Sequence, residues 1–164
     1  WKFYIVPGNP ADGFENAAQV LNGERKGDKD RVGFAAYTRA ILWRGLAAAA
    51  LLSATFVVFA NPVLASFAAT PEVARIAQEQ ALWLIIIPFA GVASFVFDGV
   101  FVGASWTRAM LLSMIGASVL FALSLWLTWP LGNAGLWGSF VLFLGARAGL
   151  QAALMPRLTR QSFS

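Results

Sequence analysis

The stretch ALWLIIIPFAGVASFVFDGVFVG, residues 81–103, decides the fold. It is an apolar run with a single charge, Asp98. At about 1.5 Å of rise per helical residue, it is long enough to cross about 30 Å of hydrocarbon. Three further runs of similar length flank it, over about 41–59, 109–129 and 135–155. Across the chain 59% of residues are hydrophobic and 12% charged, about half the charged fraction of an ordinary soluble domain. The expected fold is an all-α integral membrane protein of four transmembrane helices, preceded by a short amphipathic helix.

Outward from that stretch the organisation follows. Residues 1–10, WKFYIVPGNP, read as an irregular segment because of Pro7, Gly8 and Pro10. They lack a basic region followed by an apolar one, and Trp1 is not an initiator methionine, so the chain reads as a fragment, a processed product or a chain missing its start. Residues 11–40 form a partial helix and a loop. Phe14, Ala17, Ala18 and Leu21 share one helical face, while Asp12, Glu15, Asn16 and Gln19 share another. ERKGDKDR, residues 24–31, reads as a solvated loop. Residues 41–158 make the transmembrane domain. Its first span should end at Asn61-Pro62, a new helix should start with Thr70 as cap and Pro71 in its first turn, and the last span should stop at Pro156. Residues 159–164 are a tail.

Basic residues orient the spans. Arg25, Lys26, Lys29, Arg31, Arg39 and Arg44 precede span 1, Arg108 joins spans 2 and 3, and Arg157 and Arg160 follow span 4. That places nine on one side against Arg75 alone on the other. The nine-residue side should be cytoplasmic, with the loop before span 1 and the C-terminus on it. Trp43, Trp83, Trp106, Trp129 and Trp137 lie near span ends, as an aromatic belt requires. A basic chain also suits nucleic acid, but here the basic residues flank apolar spans, so no nucleic-acid partner is expected.

The chemistry is narrow. With no Cys there are no disulfides or thiolates, and with no His the commonest general base and metal ligand are missing. No nucleophile–base pair and no phosphate-cradling glycine loop is present, so the chain is not read as an enzyme and no cofactor is expected. Asp98 is the candidate residue. A carboxylate within a span is costly unless paired, hydrated or protonated, and such residues usually serve function. It can exchange a proton or bind Na⁺; hydration near the interface is the other reading. Ser94 and Gly91 lie one and two turns before Asp98 on its face, and Pro88 interrupts the same helix, together suggesting a kinked, notched surface on a cavity or a kink serving packing alone. Arg147 is read first as snorkelling to the interface and second as pairing with Asp98. Gly99 with Gly103, and Gly145 with Gly149, form small-xxx-small motifs for helix packing. The Phe and Trp residues of spans 2–4 are read as lipid-facing or core, with stacking on an aromatic or cationic ligand as the alternative.

Three stretches carry a resemblance. IPFAGVASFVFDGVFVGASWTRAM, residues 87–110, is similar to the tenth helix and following loop of the multidrug and toxin extrusion (MATE) family, in its DinF-like branch. PLGNAGLWGSFVLFLGARAGLQAALMPRL, residues 130–158, resembles the last loop and twelfth helix. ADGFENAAQVLNGERKGDKD, residues 11–30, resembles the end of the eighth helix and the loop after it. The resemblance implies part of the C-terminal lobe of a twelve-helix antiporter in a bacterial inner membrane. It implies export of lipophilic or cationic small molecules by alternating access, coupled to H⁺ or Na⁺, with Asp98 in cation coupling or substrate binding. The implied partners are the lipid bilayer, a drug-like substrate, and the missing N-terminal lobe or another helical subunit. The alternative is a non-transporting remnant, or a small membrane subunit that assembles with a partner.

Overall fold

The computed structural model describes residues 10–67, 75 and 81–163. Five α-helices account for nearly all of them: α1 (Pro10–Gly27), α2 (Arg31–Phe67), α3 (Ala81–Gly103), α4 (Thr107–Leu127) and α5 (Asn133–Ser162). A single 3₁₀ turn, Trp129–Leu131, joins α4 to α5. Residues 1–9, expected to be irregular, and the helix start expected at Thr70-Pro71 lie outside the described residues. Among the described residues four helices are long and apolar enough to cross a membrane: Arg31–Phe59 within α2, then α3, α4 and α5. The described residues are those of a helical, multi-pass membrane protein.

Five boundaries differ from the sequence expectation, the largest being the start of α2 at Arg31, where a loop was expected to reach residue 40 and span 1 to begin at about 41. Pro10, placed in the irregular segment, begins α1. The stretch ERKG continues α1 to Gly27 instead of forming a loop, because Lys26 reaches across to donate from Nζ to the Ala104 carbonyl at the end of α3. α2 runs past Asn61-Pro62 to Phe67. α5 runs through Pro156 to Ser162. A proline removes one backbone hydrogen bond, and a long helix held by neighbours survives that loss.

α2 starts sharply at Asp30, whose carboxylate accepts the Gly33 N–H at 2.8 Å, the usual satisfaction of a free helix-end donor. At the other end of the bundle Gly132 has φ +57°, a left-handed turn that glycine adopts without strain. Gly135 then lies against the Thr128 carbonyl, where any side chain would collide, so α4 and α5 form a close antiparallel pair.

α3 is the centre of the molecule, packed by α1, α2 and α5. Its inner face is Val92, Val96, Val100 and Phe101. α1 lays Ala18 and Asn22 into this core, and Asn22 is satisfied there: its amide donates to the Ala18 carbonyl at 3.0 Å and its oxygen accepts from Thr38 at 2.8 Å. At the α3–α4 corner Trp106 is buried, not displayed in an aromatic belt. Its ring packs on Phe34 and Phe101, and its N–H donates to Ser162 Oγ at 3.0 Å. Phe163 closes the cluster at 5.3 Å from Phe34, so the start of α2 and the end of α5 meet at one corner. Trp43 and Trp129 are exposed, as belt residues should be.

Candidate functional site

Asp98 directly precedes Gly99 in the last turns of α3 and is 1% exposed. Its side chain points at α5. Arg147 meets it in a bidentate fork: Nε donates to Oδ1 at 3.1 Å, and the terminal nitrogen donates to Oδ2. One turn further along α5, Gln151 donates from Nε2 to Oδ1 at 2.8 Å. Arg147 therefore pairs with the acid and does not snorkel to the interface. A fork of this kind is the geometry in which guanidinium and carboxylate bind best. Two opposite charges in contact also form a unit of no net charge, which makes their burial tolerable.

Gln151 was not singled out from the sequence, although it is fully buried. Its signal was positional: it stands four residues after Arg147, on the same helical face, in an otherwise apolar run. Two polar atoms near this turn have no partner, Gln151 Oε1 and Ser94 Oγ. Ser94 is fully buried one turn before Asp98. Gly91 is buried with only the Phe95 ring within 4 Å of where a Cβ would stand. Near Pro88, Ser53 of α2 donates to the Ile85 carbonyl at 2.9 Å, adding a partner to the turn that the proline weakens. The structure thus brings Arg147 to Asp98, with Ser94 one turn back along α3 and Pro88 further back toward its start.

The two glycine motifs have opposite surroundings. A Cβ on Gly99 would strike the Glu15 carbonyl oxygen, and one on Gly103 would strike the Gln19 carbonyl oxygen, so α1 rests backbone to backbone on α3. Gly145 and Gly149 have nothing within 4 Å and pack no helix of this chain among the described residues.

The Gly99 contact also sets Glu15 beside the charged pair. Burial is the main cause that holds its carboxyl above the ordinary value of 4.5, and the Asp98 charge adds to it, while Arg147 opposes. Asp12 adds a smaller push in the same direction. The folded state therefore binds the Glu15 proton more tightly than the unfolded chain does. The stability from that proton is present at low pH and is lost as pH rises from about 4.5 through the raised value. Replacing Glu15 with glutamine should flatten this fall in a pH series of thermal unfolding in detergent. An identical slope in both proteins would remove Glu15 from the titration.

Asp98 accepts three hydrogen bonds, two on Oδ1 and one on Oδ2, so a Na⁺ ion there would have to share the carboxylate with Arg147 and Gln151. Among the described residues no group of three metal-ligating side chains exists. Three grooves formed by described residues lie at helix ends, and none is lined by Asp98.

The model of the MatE family matches residues 1–127. The chain belongs to the MatE family. The matched stretch includes Asp98 and the glycine contact with α1, and it stops before Arg147 and Gln151. A curated relative, DNA damage-inducible protein F of Escherichia coli (strain K12), is 31% identical over 147 residues, which cover 89% of this chain. The chain spans 32% of that relative's length. No solved structure matches it. MatE membership agrees with the family resemblance carried by residues 11–30, 87–110 and 130–158.

Proposed function

We propose that this chain forms part of the C-terminal lobe of a multidrug efflux antiporter that exports lipophilic or cationic small molecules in exchange for H⁺ or Na⁺. The observation that carries the reading is the buried fork between Asp98 and Arg147 on two membrane-length helices. When Asp98 is ionised, the fork ties α3 to α5. When Asp98 takes up a proton, or a cation displaces the guanidinium, Arg147 loses its partner. A lone charge in a low-dielectric interior costs several kcal/mol, so the helices must rearrange or admit water. Cation uptake is thereby coupled to helix position, as alternating access demands.

The open face of α5 at Gly145 and Gly149 suits contact with helices beyond this chain, either the N-terminal lobe or another helical subunit. The excess of basic residues at the start of α2, the α3–α4 corner and the end of α5 supports a cytoplasmic placement of those ends in a bacterial plasma membrane.

The test is Asp98→Asn in the full-length protein reconstituted in liposomes. Export of a fluorescent lipophilic cation, driven in turn by a pH gradient and a Na⁺ gradient, is read against wild type. Loss of at least tenfold, with normal insertion, is expected. Undiminished export under both gradients would remove Asp98 from the mechanism.

A further inference from the structure

We propose that the groove between the start of α2 and the end of α5 binds one anionic phospholipid, with its phosphodiester held by Arg31 and Arg160. The groove has a volume of about 560 Å³. Val32 and Ala35 form one wall and Met155 and Pro156 the other, so its body is apolar. Arg31 and Arg160 line it too, one from each helix. An apolar trough with cations in its lining fits an amphiphile, an acyl chain along the wall and a negative headgroup at the arginines.

The charges are available. Among the described residues neither Arg31 nor Arg160 has an ion-pair partner, and both are exposed. Asp30 is adjacent to Arg31, but its oxygens are engaged elsewhere: Oδ1 accepts the Gly33 N–H, and Oδ2 lies 3.6 Å from Arg25. The groove also opens beside the first turn of α2, where the helix dipole favours an anion. Its level is fixed. The Phe34–Phe163 contact and the Trp106–Ser162 hydrogen bond hold the start of α2 and the end of α5 together at a helix end, where headgroups lie. The apolar wall argues for a lipid over free phosphate, which has no use for it. The site is independent of the Asp98 fork and of the transport reading.

The test uses the full-length protein, stripped of lipid in a neutral detergent and titrated with phosphatidylglycerol or phosphatidylcholine while native mass spectrometry counts bound lipid. Phosphatidylglycerol should bind at least tenfold more tightly. Each arginine near an anionic headgroup is worth about fivefold, so Arg31→Gln with Arg160→Gln should weaken phosphatidylglycerol binding by roughly 25-fold. Arg108→Gln, which removes a charge at the nearby α3–α4 corner, should leave it unchanged. Ala35→Trp, which fills the wall and keeps both arginines, should also weaken it. Equal binding of the two lipids would overturn the proposal, as would an equal loss in Arg108→Gln, which would indicate diffuse surface charge. Full displacement of the lipid by equimolar glycerol phosphate would reassign the groove to a free anion.

Discussion

Replacing Arg147 with methionine should destabilise the protein by about 3–5 kcal/mol, the usual cost of leaving a buried charge without its partner. Asp98 would keep only the Gln151 amide as a donor. One neutral hydrogen bond does not offset a carboxylate in an apolar interior. The measurement is unfolding of the purified protein in detergent, by heat or by a titration with denaturing surfactant. The double variant, Arg147→Met with Asp98→Asn, should recover most of the loss, because it removes both charges and keeps an acceptor for Gln151. Recovery is the sharper readout, since a residue that merely fills space would not be rescued by a change on another helix. If Arg147→Met alone stays within about 0.5 kcal/mol of wild type, the fork contributes nothing to stability.

The second large effect is expected at Gly99 and Gly103. An alanine at either position places a methyl into a backbone carbonyl of α1, Glu15 at one and Gln19 at the other. A side chain can turn aside, but a helix backbone cannot, so α1 must lift away from α3. Overpacking of this kind costs about 1–3 kcal/mol per site, and the double variant should release α1. Amide hydrogen exchange would show it as lost protection across Pro10–Gly27 while α4 and α5 keep theirs. The paired control is Gly145→Ala with Gly149→Ala. Both face open space in this chain, so the gain in helix propensity, about 0.5–1 kcal/mol per site, should dominate. Equal losses in both pairs would show that the motif itself, not its neighbour, sets the cost.

This contrast marks where the sequence stopped being informative. GVFVG and GARAG carry the same spacing, and spacing states only which face a helix can offer. Whether another backbone covers that face is decided by the placement of α1, which no local pattern encodes. Arg147 is a similar case. A long cationic side chain near a helix end satisfies its charge equally well by reaching water or by meeting an acid. Only the docking of α5 on α3 selects the second. The spans themselves were legible because run length and the membrane's thickness determine them almost alone, and α3 occupies the expected 81–103. Their ends were less so. Pro156 reads as a stop by local rules, yet α5 continues because Trp106 and Phe34 hold its last turn through Ser162 and Phe163. Lys26 extended α1 in the same way, through a carbonyl 78 residues distant. Gln151 escaped notice because it bears no charge, although burial makes an amide in a span nearly as consequential as an ion.

The fork between Asp98 and Arg147 also bears on the membrane potential. One elementary charge carried across the full field is worth about 2.3 kcal/mol per 100 mV. While the two side chains stay joined, α3 and α5 can shift together and carry no net charge through that field. Once a proton neutralises Asp98, the same shift displaces the charge of Arg147 alone. On the proposed antiporter reading, protonation of Asp98 would therefore add the charge of Arg147 to what the voltage across the bilayer moves with α5.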